Sequence, residues 1–261
     1  MESKDFLWLN LRELPYFRAM LRAVEAQFYQ QVELASPTLD LGCGDGHFAK
    51  VTFDRKLEVG LDPWAGSINQ AAKEGGYRSL VQADGGRMPF PDGYFGAALS
   101  NSVLEHIPHV QAVLVELRRV LKPGALFLFC VPNPRYLSEL SIAGLLGRIG
   151  LMQLGQAYIG WFKRMSRVEH AVWPEVWQAW LEAAGFILDK WWHYFSPQAM
   201  RTLEWGHYFG APTLLAHWLS RRWIIAPYHW NLFLTEKLVR RHAVAQPDPA
   251  GTFTFYIARR V

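Results

Sequence analysis

Thr38-Leu39-Asp40-Leu41-Gly42-Cys43-Gly44-Asp45-Gly46-His47-Phe48 decides how this chain folds. A short β-branched and apolar run leads into three alternate glycines. The apolar, lysine-bearing segment that follows, Phe48-Ala49-Lys50-Val51, suits the start of a helix. Strand, tight turn and helix in that order make a nucleotide-type turn. Glycine serves there because the backbone takes φ values that a side chain penalises, and because a ligand lies against it with no Cβ between. The dinucleotide fingerprint shares this logic but needs its third glycine where this chain has His47. The spacing here is G-x-G-x-G.

Downstream, Lys56-Leu57-Glu58-Val59-Gly60-Leu61-Asp62-Pro63-Trp64 reads as a second strand closed by an acid. Asp62 stands about 20 residues past the first glycine, where an acceptor for ribose hydroxyls belongs. A ribose occurs in a methyl donor and in a nicotinamide alike, so Asp62 alone leaves both open, as well as a plain Asp-Pro turn. A helix over Ile68 to Lys73 is stopped by Gly75-Gly76. Ser79-Leu80-Val81-Gln82-Ala83-Asp84-Gly85 then gives a third strand ending in another acid, with Asp84 placed to accept from an adenine amino group and the Gly85 amide open to a ring nitrogen. Ala97 to Ser102 is the fourth strand, and Val103-Leu104-Glu105-His106-Ile107-Pro108 follows its exit. Ligands of doubly wound sheets sit outside the carboxyl ends of the strands, so Ser100 to His106 should face the reacting group.

With Met88-Pro89-Phe90-Pro91-Asp92-Gly93-Tyr94-Phe95 between the third and fourth strands, these motifs in this order resemble the class I S-adenosylmethionine-dependent methyltransferases. The likeness is to the type 11, ubiquinone/menaquinone-biosynthesis-like and small-molecule branch, and runs from about Thr38 to Asn133. Two departures are mild: Gly96 stands where the family usually has an acid, and Ala125 where it commonly has a second glycine after Pro-Gly. The resemblance implies a Rossmann-like, doubly wound α/β fold with a seven-stranded, mostly parallel sheet whose last strand is antiparallel. It implies S-adenosyl-L-methionine as cofactor. Asp40, Gly42, Gly44 and Gly46 would hold its methionine part, Asp62 with Pro63 its ribose and Asp84 with Gly85 its adenine, while Ser100 would offer backbone contacts near the sulfonium. A nicotinamide-linked oxidoreductase would leave Asp84 unexplained, and a non-catalytic binder of the cofactor is the other alternative.

Such a donor is reactive in itself, so binding, water exclusion and aim supply most of the rate. A general base helps only when the acceptor carries a proton. His106 sits where one would serve, with Glu105 beside it, and lining the pocket is its competing role. His106 and His109 have metal-compatible spacing but lack carboxylate or cysteine partners in pattern, so no metal site is expected.

The rest of the chain surrounds this core. Residues 1–35 read as an amino-terminal helical cap, with Leu14, Phe17, Met20, Leu21, Val24 and Phe28 at helical spacing and Pro15 at the start of the main helix. Residues 36–133 are the cofactor-binding core, 134–185 a helical substrate region, and 186–261 the last two strands with a helical insert over 196–246. Val113 to Leu121 is an apolar helical stripe, and Ala125 to Asn133 a near-continuous apolar strand of the central, parallel kind. Pro174 to Ala184 is a helix ended by Gly185, with strands over Phe186 to Phe195 and Gly251 to Ala258.

The two cysteines show no framework, the start Met1-Glu2-Ser3-Lys4-Asp5 is charged without an apolar core, and a cytoplasmic protein is expected. A net charge of +4 with dispersed basic residues argues against nucleic acid. All tryptophans but Trp8 and Trp64 lie beyond residue 160. Trp205, Trp218, Trp223, Tyr228, Trp230 and Phe233, interrupted by Arg221-Arg222 and followed by Lys237, Arg240 and Arg241, suit a membrane interface and a closed cap over a greasy pocket equally. The acceptor expected is therefore a small hydrophobic or amphipathic, lipid-like molecule, methylated on oxygen or nitrogen. His170 and His193 are further pocket candidates, with packing as their default role.

Overall fold

The computed structural model describes residues 4–209, 211–220 and 222–261; Met1-Glu2-Ser3 and Arg221 of the sequence reading lie outside them. Seven strands form one sheet in the order β3-β2-β1-β4-β5-β7-β6. They are β1 Thr38–Leu41, β2 Leu57–Asp62, β3 Tyr77–Gln82, β4 Phe95–Asn101, β5 Leu121–Pro132, β6 Phe186–Tyr194 and β7 Phe253–Arg260. Only β7 runs antiparallel, to both of its neighbours. This is the expected sheet, and the order reverses between β1 and β4, where a crevice opens at the strand ends.

The centre of the sheet is apolar on both sides because helices cover both. Side chains alternate along β5: Phe127, Phe129 and Val131 enter one core, Leu128 and Cys130 the other. The first core takes in α5 (Val110–Val120) and α9 (Pro174–Ala183), and Phe129 stacks on Tyr256 there at 4.6 Å between ring centroids. The opposite core takes in α1 (Phe6–Leu11), α2 (Tyr16–Tyr29), α3 (His47–Thr52) and α4 (Ala65–Glu74). Beyond β5 come α6 (Arg135–Ser138), α7 (Ser141–Arg148) and α8 (Met152–Ser166), and the insert between β6 and β7 holds α10 (Pro197–Phe209), α11 (Ala211–Ser220) and α12 (His229–Arg240).

The helix that matters most for the site is α2, whose N-cap is Pro15, as the sequence suggests. Its fully buried Glu25 accepts hydrogen bonds from Asn101 Nδ2 (2.8 Å), Ser102 Oγ (3.1 Å) and the Tyr194 hydroxyl (2.9 Å). One turn on, the Tyr29 hydroxyl donates to the Ser100 carbonyl at 2.9 Å. Three of these four bonds fasten α2 across the carboxyl end of β4, where a cofactor would lie, and the fourth ties it to the end of β6. A buried carboxylate this well supplied is costly to disturb, because removing a donor leaves charge unpartnered.

The end of the third strand differs from the sequence reading for a local reason. The third strand stops at Gln82 rather than at Asp84, because Asp84 Oδ1 takes the Gly86 amide at 2.6 Å and turns the chain out of the ladder. Gly96, where the resembled family carries an acid, packs against the preceding loop: a Cβ there would lie 2.8 Å from the Ser36 carbonyl oxygen. Truncating the buried ring in Phe129→Ala is expected to cost about 3–5 kcal/mol of unfolding free energy. Urea denaturation followed by circular dichroism measures this, and a loss under 1 kcal/mol would mean that the ring is not a core element.

Candidate active site

The turn after β1 is tied to the end of β2. The amides of Gly42 and Cys43 both donate to the Leu61 carbonyl, at 2.8 and 3.0 Å, and the Gly44 amide donates to Asp62 Oδ2 at 3.1 Å. Asp62 Oδ1 accepts from the Trp64 amide at 2.9 Å. Each carboxylate oxygen keeps a further lone pair, so Asp62 can still accept from two ribose hydroxyls. At Gly44, with φ +54°, no atom lies within 4 Å of the place a Cβ would take, so a ligand can rest on bare backbone there.

These groups line a cavity of about 620 Å³, the size of a small-molecule site. Asp40, Gly42, Gly44, Asp62 and Pro63 form one wall, and Asp84 and Gly85 another. His106 closes the far end, with Arg18 and Arg22 of α2 above. Asp84 Oδ2 remains for an amino group once Oδ1 holds Gly86. Asp40 lies deep at the base, where burial pushes its carboxyl up to about 7 against the opposing hydrogen bond from the Tyr77 hydroxyl at 2.6 Å. The residues present therefore fit a nucleoside with a short zwitterionic tail.

Three of the expected site residues stand outside this lining. Gly46 is a packing glycine: a Cβ there would fall 2.9 Å from Ala71 Cα, where α3 meets α4. Ser100 is fully buried, and its hydroxyl donates to the Leu41 carbonyl at 2.8 Å, fastening β4 to β1. Glu105 lines a second, smaller cavity of about 200 Å³ with Phe17, Leu21, Tyr136, Val168, Leu203 and Phe253. The two cavities share Arg18, Ser102, His106 and Ser166, so the apolar one opens beside the end of the other. His170 and His193 line neither cavity; the first pairs with the Ile107 carbonyl at 2.9 Å, the second with the Thr254 hydroxyl at 2.7 Å.

At the junction, His106 Nδ1 lies 2.8 Å from the Arg167 carbonyl. A carbonyl only accepts, so Nδ1 carries the proton and Nε2 keeps its lone pair. Partial desolvation of the ring holds the imidazole below its usual range, which preserves that neutral form. Glu105 is buried, and desolvation, assisted by the nearby charge of Glu25, pushes its carboxyl up to about 8. Its Oε2 has no hydrogen-bond partner among the described residues. Burial thus favours its protonated, hydrogen-bond-donating form. Ser102, with φ +53°, holds a strained backbone at the same point.

Arg18, Arg22 and Arg167 are cavity residues that the sequence reading passed over. The available signal was the pair Arg18 and Arg22, one turn apart on the polar side of an otherwise apolar helix. A wider cleft of about 780 Å³ lies between α1, α3, α4 and the segment after α11. It contains none of the turn's three glycines, and its charges are largely paired, as in Lys50–Glu74 at 2.6 Å and His47–Glu13 at 3.2 Å beside it.

Residues 39–129 match the family model described as a methyltransferase domain. These residues are a class I S-adenosylmethionine-dependent methyltransferase domain. Over 111 residues the chain is 34% identical to the malonyl-[acyl-carrier protein] O-methyltransferase of Legionella pneumophila, covering 40% of this chain and 39% of that one. Over 103 residues it is 36% identical to the fatty-acid O-methyltransferase of Mycolicibacterium smegmatis, covering 38% of each. The chain thus spans less than half the length of these relatives. The whole fold is similar to that of geranyl diphosphate C-methyltransferase from Streptomyces coelicolor, with a TM-score of 0.56 at 15% identity, covering 94% of this chain and 84% of that one.

Glu105 yields a stability prediction. An acid whose folded pKa is raised binds more protons folded than unfolded between about pH 4.5 and 8, so its contribution to stability falls as pH rises through that window. Glu105→Gln should therefore gain thermal stability over the parent between pH 5 and pH 8.5. A difference in melting temperature that is flat with pH would contradict a protonated Glu105.

Proposed function

We propose that this protein transfers the methyl group of S-adenosylmethionine to a small hydrophobic or amphipathic acceptor, on oxygen or nitrogen. The observation that carries the proposal is the meeting of Asp62, Asp84 and the bare backbone of Gly44 on one cavity that shares Arg18, Ser102, His106 and Ser166 with a second, apolar one. The bound cofactor supplies an electrophilic methyl group on a sulfonium. Asp62 binds its ribose, Asp84 and Gly85 orient its adenine, and Asp40 with Gly42 and Gly44 bounds its methionine part. Phe17, Leu21, Tyr136, Leu203 and Phe253 exclude water from the acceptor and hold its apolar body. His106 Nε2 can take a proton from an acceptor that carries one, and Glu105 can donate a hydrogen bond at the same place. The acyl substrates named for two relatives support a lipid-like acceptor.

We also propose that the protein rests peripherally on an anionic membrane through α11 and α12. On α11, Leu214, Leu215, Trp218 and Leu219 are exposed, and on α12, Trp230, Phe233, Leu234 and Leu238. Leu232 and Val239 form the buried side of α12, so its outward side is the apolar one, edged by exposed Lys237 and Arg241. Trp218 is 74% exposed, and Trp230 and Leu234 are each 76% exposed. The sequence holds no aspartate or glutamate between Glu204 and Glu236. Exposed Trp and Leu with a basic edge, and with the one acid of these two helices, Glu236, paired to Arg240, suit an anionic lipid surface. No described helix is long and apolar enough to cross a membrane.

Two measurements follow. Asp62→Ala should weaken S-adenosylmethionine binding by about 1.5–3 kcal/mol in calorimetry, since charge-assisted hydrogen bonds are lost; unchanged affinity would mean that another acid holds the ribose. The protein should pellet with phosphatidylglycerol-containing vesicles at low salt, and Trp218→Ser with Trp230→Ser should abolish this. Absence of pelleting, or a dimer broken by the same changes, would refute the membrane reading.

A further inference from the structure

α2 carries two guanidinium groups, Arg18 and Arg22, one turn apart on one helix face. Neither makes a hydrogen bond or ion pair among the described residues. Arg22 lies over the Phe48 ring at 5.3 Å and lines only the cofactor cavity, beside the glycine turn. Arg18 lines both cavities at their junction. Like charges at this spacing repel, and burial adds a cost at Arg18. The remote carboxylate of Asp45 is the one protein charge that favours Arg18. A partly buried cation pair left without partners calls for two anions. The methionine carboxylate of the cofactor accounts for one of them, at Arg22.

We infer that the acceptor is a carboxylic acid with an apolar tail, its carboxylate held by Arg18 and by Glu105 at the mouth of the apolar cavity. This deepens the methyl-transfer proposal and rests on it. The donor set matches a carboxylate, which only accepts hydrogen bonds: a guanidinium with no partner, and beside it on the same cavity the carboxyl of Glu105. Burial that keeps Glu105 protonated makes it a donor rather than a repelling charge. Seven apolar or aromatic side chains, among them Phe17, Leu21 and Leu203, line the same cavity and suit the tail. The chemistry balances without a base. One carboxylate oxygen forms a bond to the methyl carbon as the carbon–sulfur bond breaks. The bonding pair stays on sulfur, giving neutral S-adenosylhomocysteine and a methyl ester, and no proton is released. With such an acceptor His106 lines the site, its free Nε2 unneeded for proton transfer.

The test is calorimetric binding of decanoate and of decanol to the full chain saturated with S-adenosylhomocysteine, so that no turnover intervenes, with Arg18→Met and Arg18→Lys beside the parent. The parent should bind decanoate at least tenfold tighter than decanol. Arg18→Met should lose that preference while S-adenosylhomocysteine affinity changes less than threefold, and Arg18→Lys should keep part of it. Equal binding of acid and alcohol by the parent would overturn the inference, as would an Arg18→Met variant that loses S-adenosylhomocysteine but keeps the acid preference. Failure of the parent to bind S-adenosylhomocysteine at all would instead remove the methyl-transfer proposal on which the inference stands.

Discussion

The hydrogen bond from the Gly44 amide to Asp62 joins the turn after β1 to the end of β2, and the site is built out from it. With the Gly42 and Cys43 amides held by the Leu61 carbonyl, the turn cannot drift from the second strand. This fixes the bare backbone of Gly44 and the carboxylate of Asp62 on one cavity wall. The cost is a carboxylate tied down by two amides, which is also what preorganises it to accept more donors without rearranging.

Above that wall, α2 supplies what the sheet lacks. Glu25 and Tyr29 anchor it to Asn101, Ser102, Ser100 and Tyr194, and the same helix then presents Phe17, Arg18, Leu21 and Arg22 to the two cavities. Anchoring and recognition are thus properties of one rigid element. The titration behaviour of the junction follows from burial there: it lowers the His106 imidazole and raises the Glu105 carboxyl, favouring the neutral form of each.

Much of this was legible in the sequence because local chemistry dictated it. The glycine spacing, the acids near the ends of β2 and β3, and the apolar run of β5 each need their residue types wherever they occur, so the sheet followed, with Gly44, Asp62 and Asp84 meeting on one cavity. Gly46 and Ser100 show the limit: a third alternate glycine and a serine at a strand end suit ligand contacts as well as packing. Only the close approach of Ala71 and the bond to Leu41 separate the two. Arg18, Arg22 and Glu25 were less legible still. Their roles depend on which way α2 faces across β4, and that is decided by partners 71 to 169 residues away in the chain.

The most direct test of the central claim is a crystal structure with S-adenosylhomocysteine bound. The account predicts both ribose hydroxyls within hydrogen-bond distance of the Asp62 carboxylate, the adenine amino group on Asp84 and the homocysteine backbone against Gly44. A nucleoside lying elsewhere, or turned so that its ribose does not meet Asp62, would contradict it.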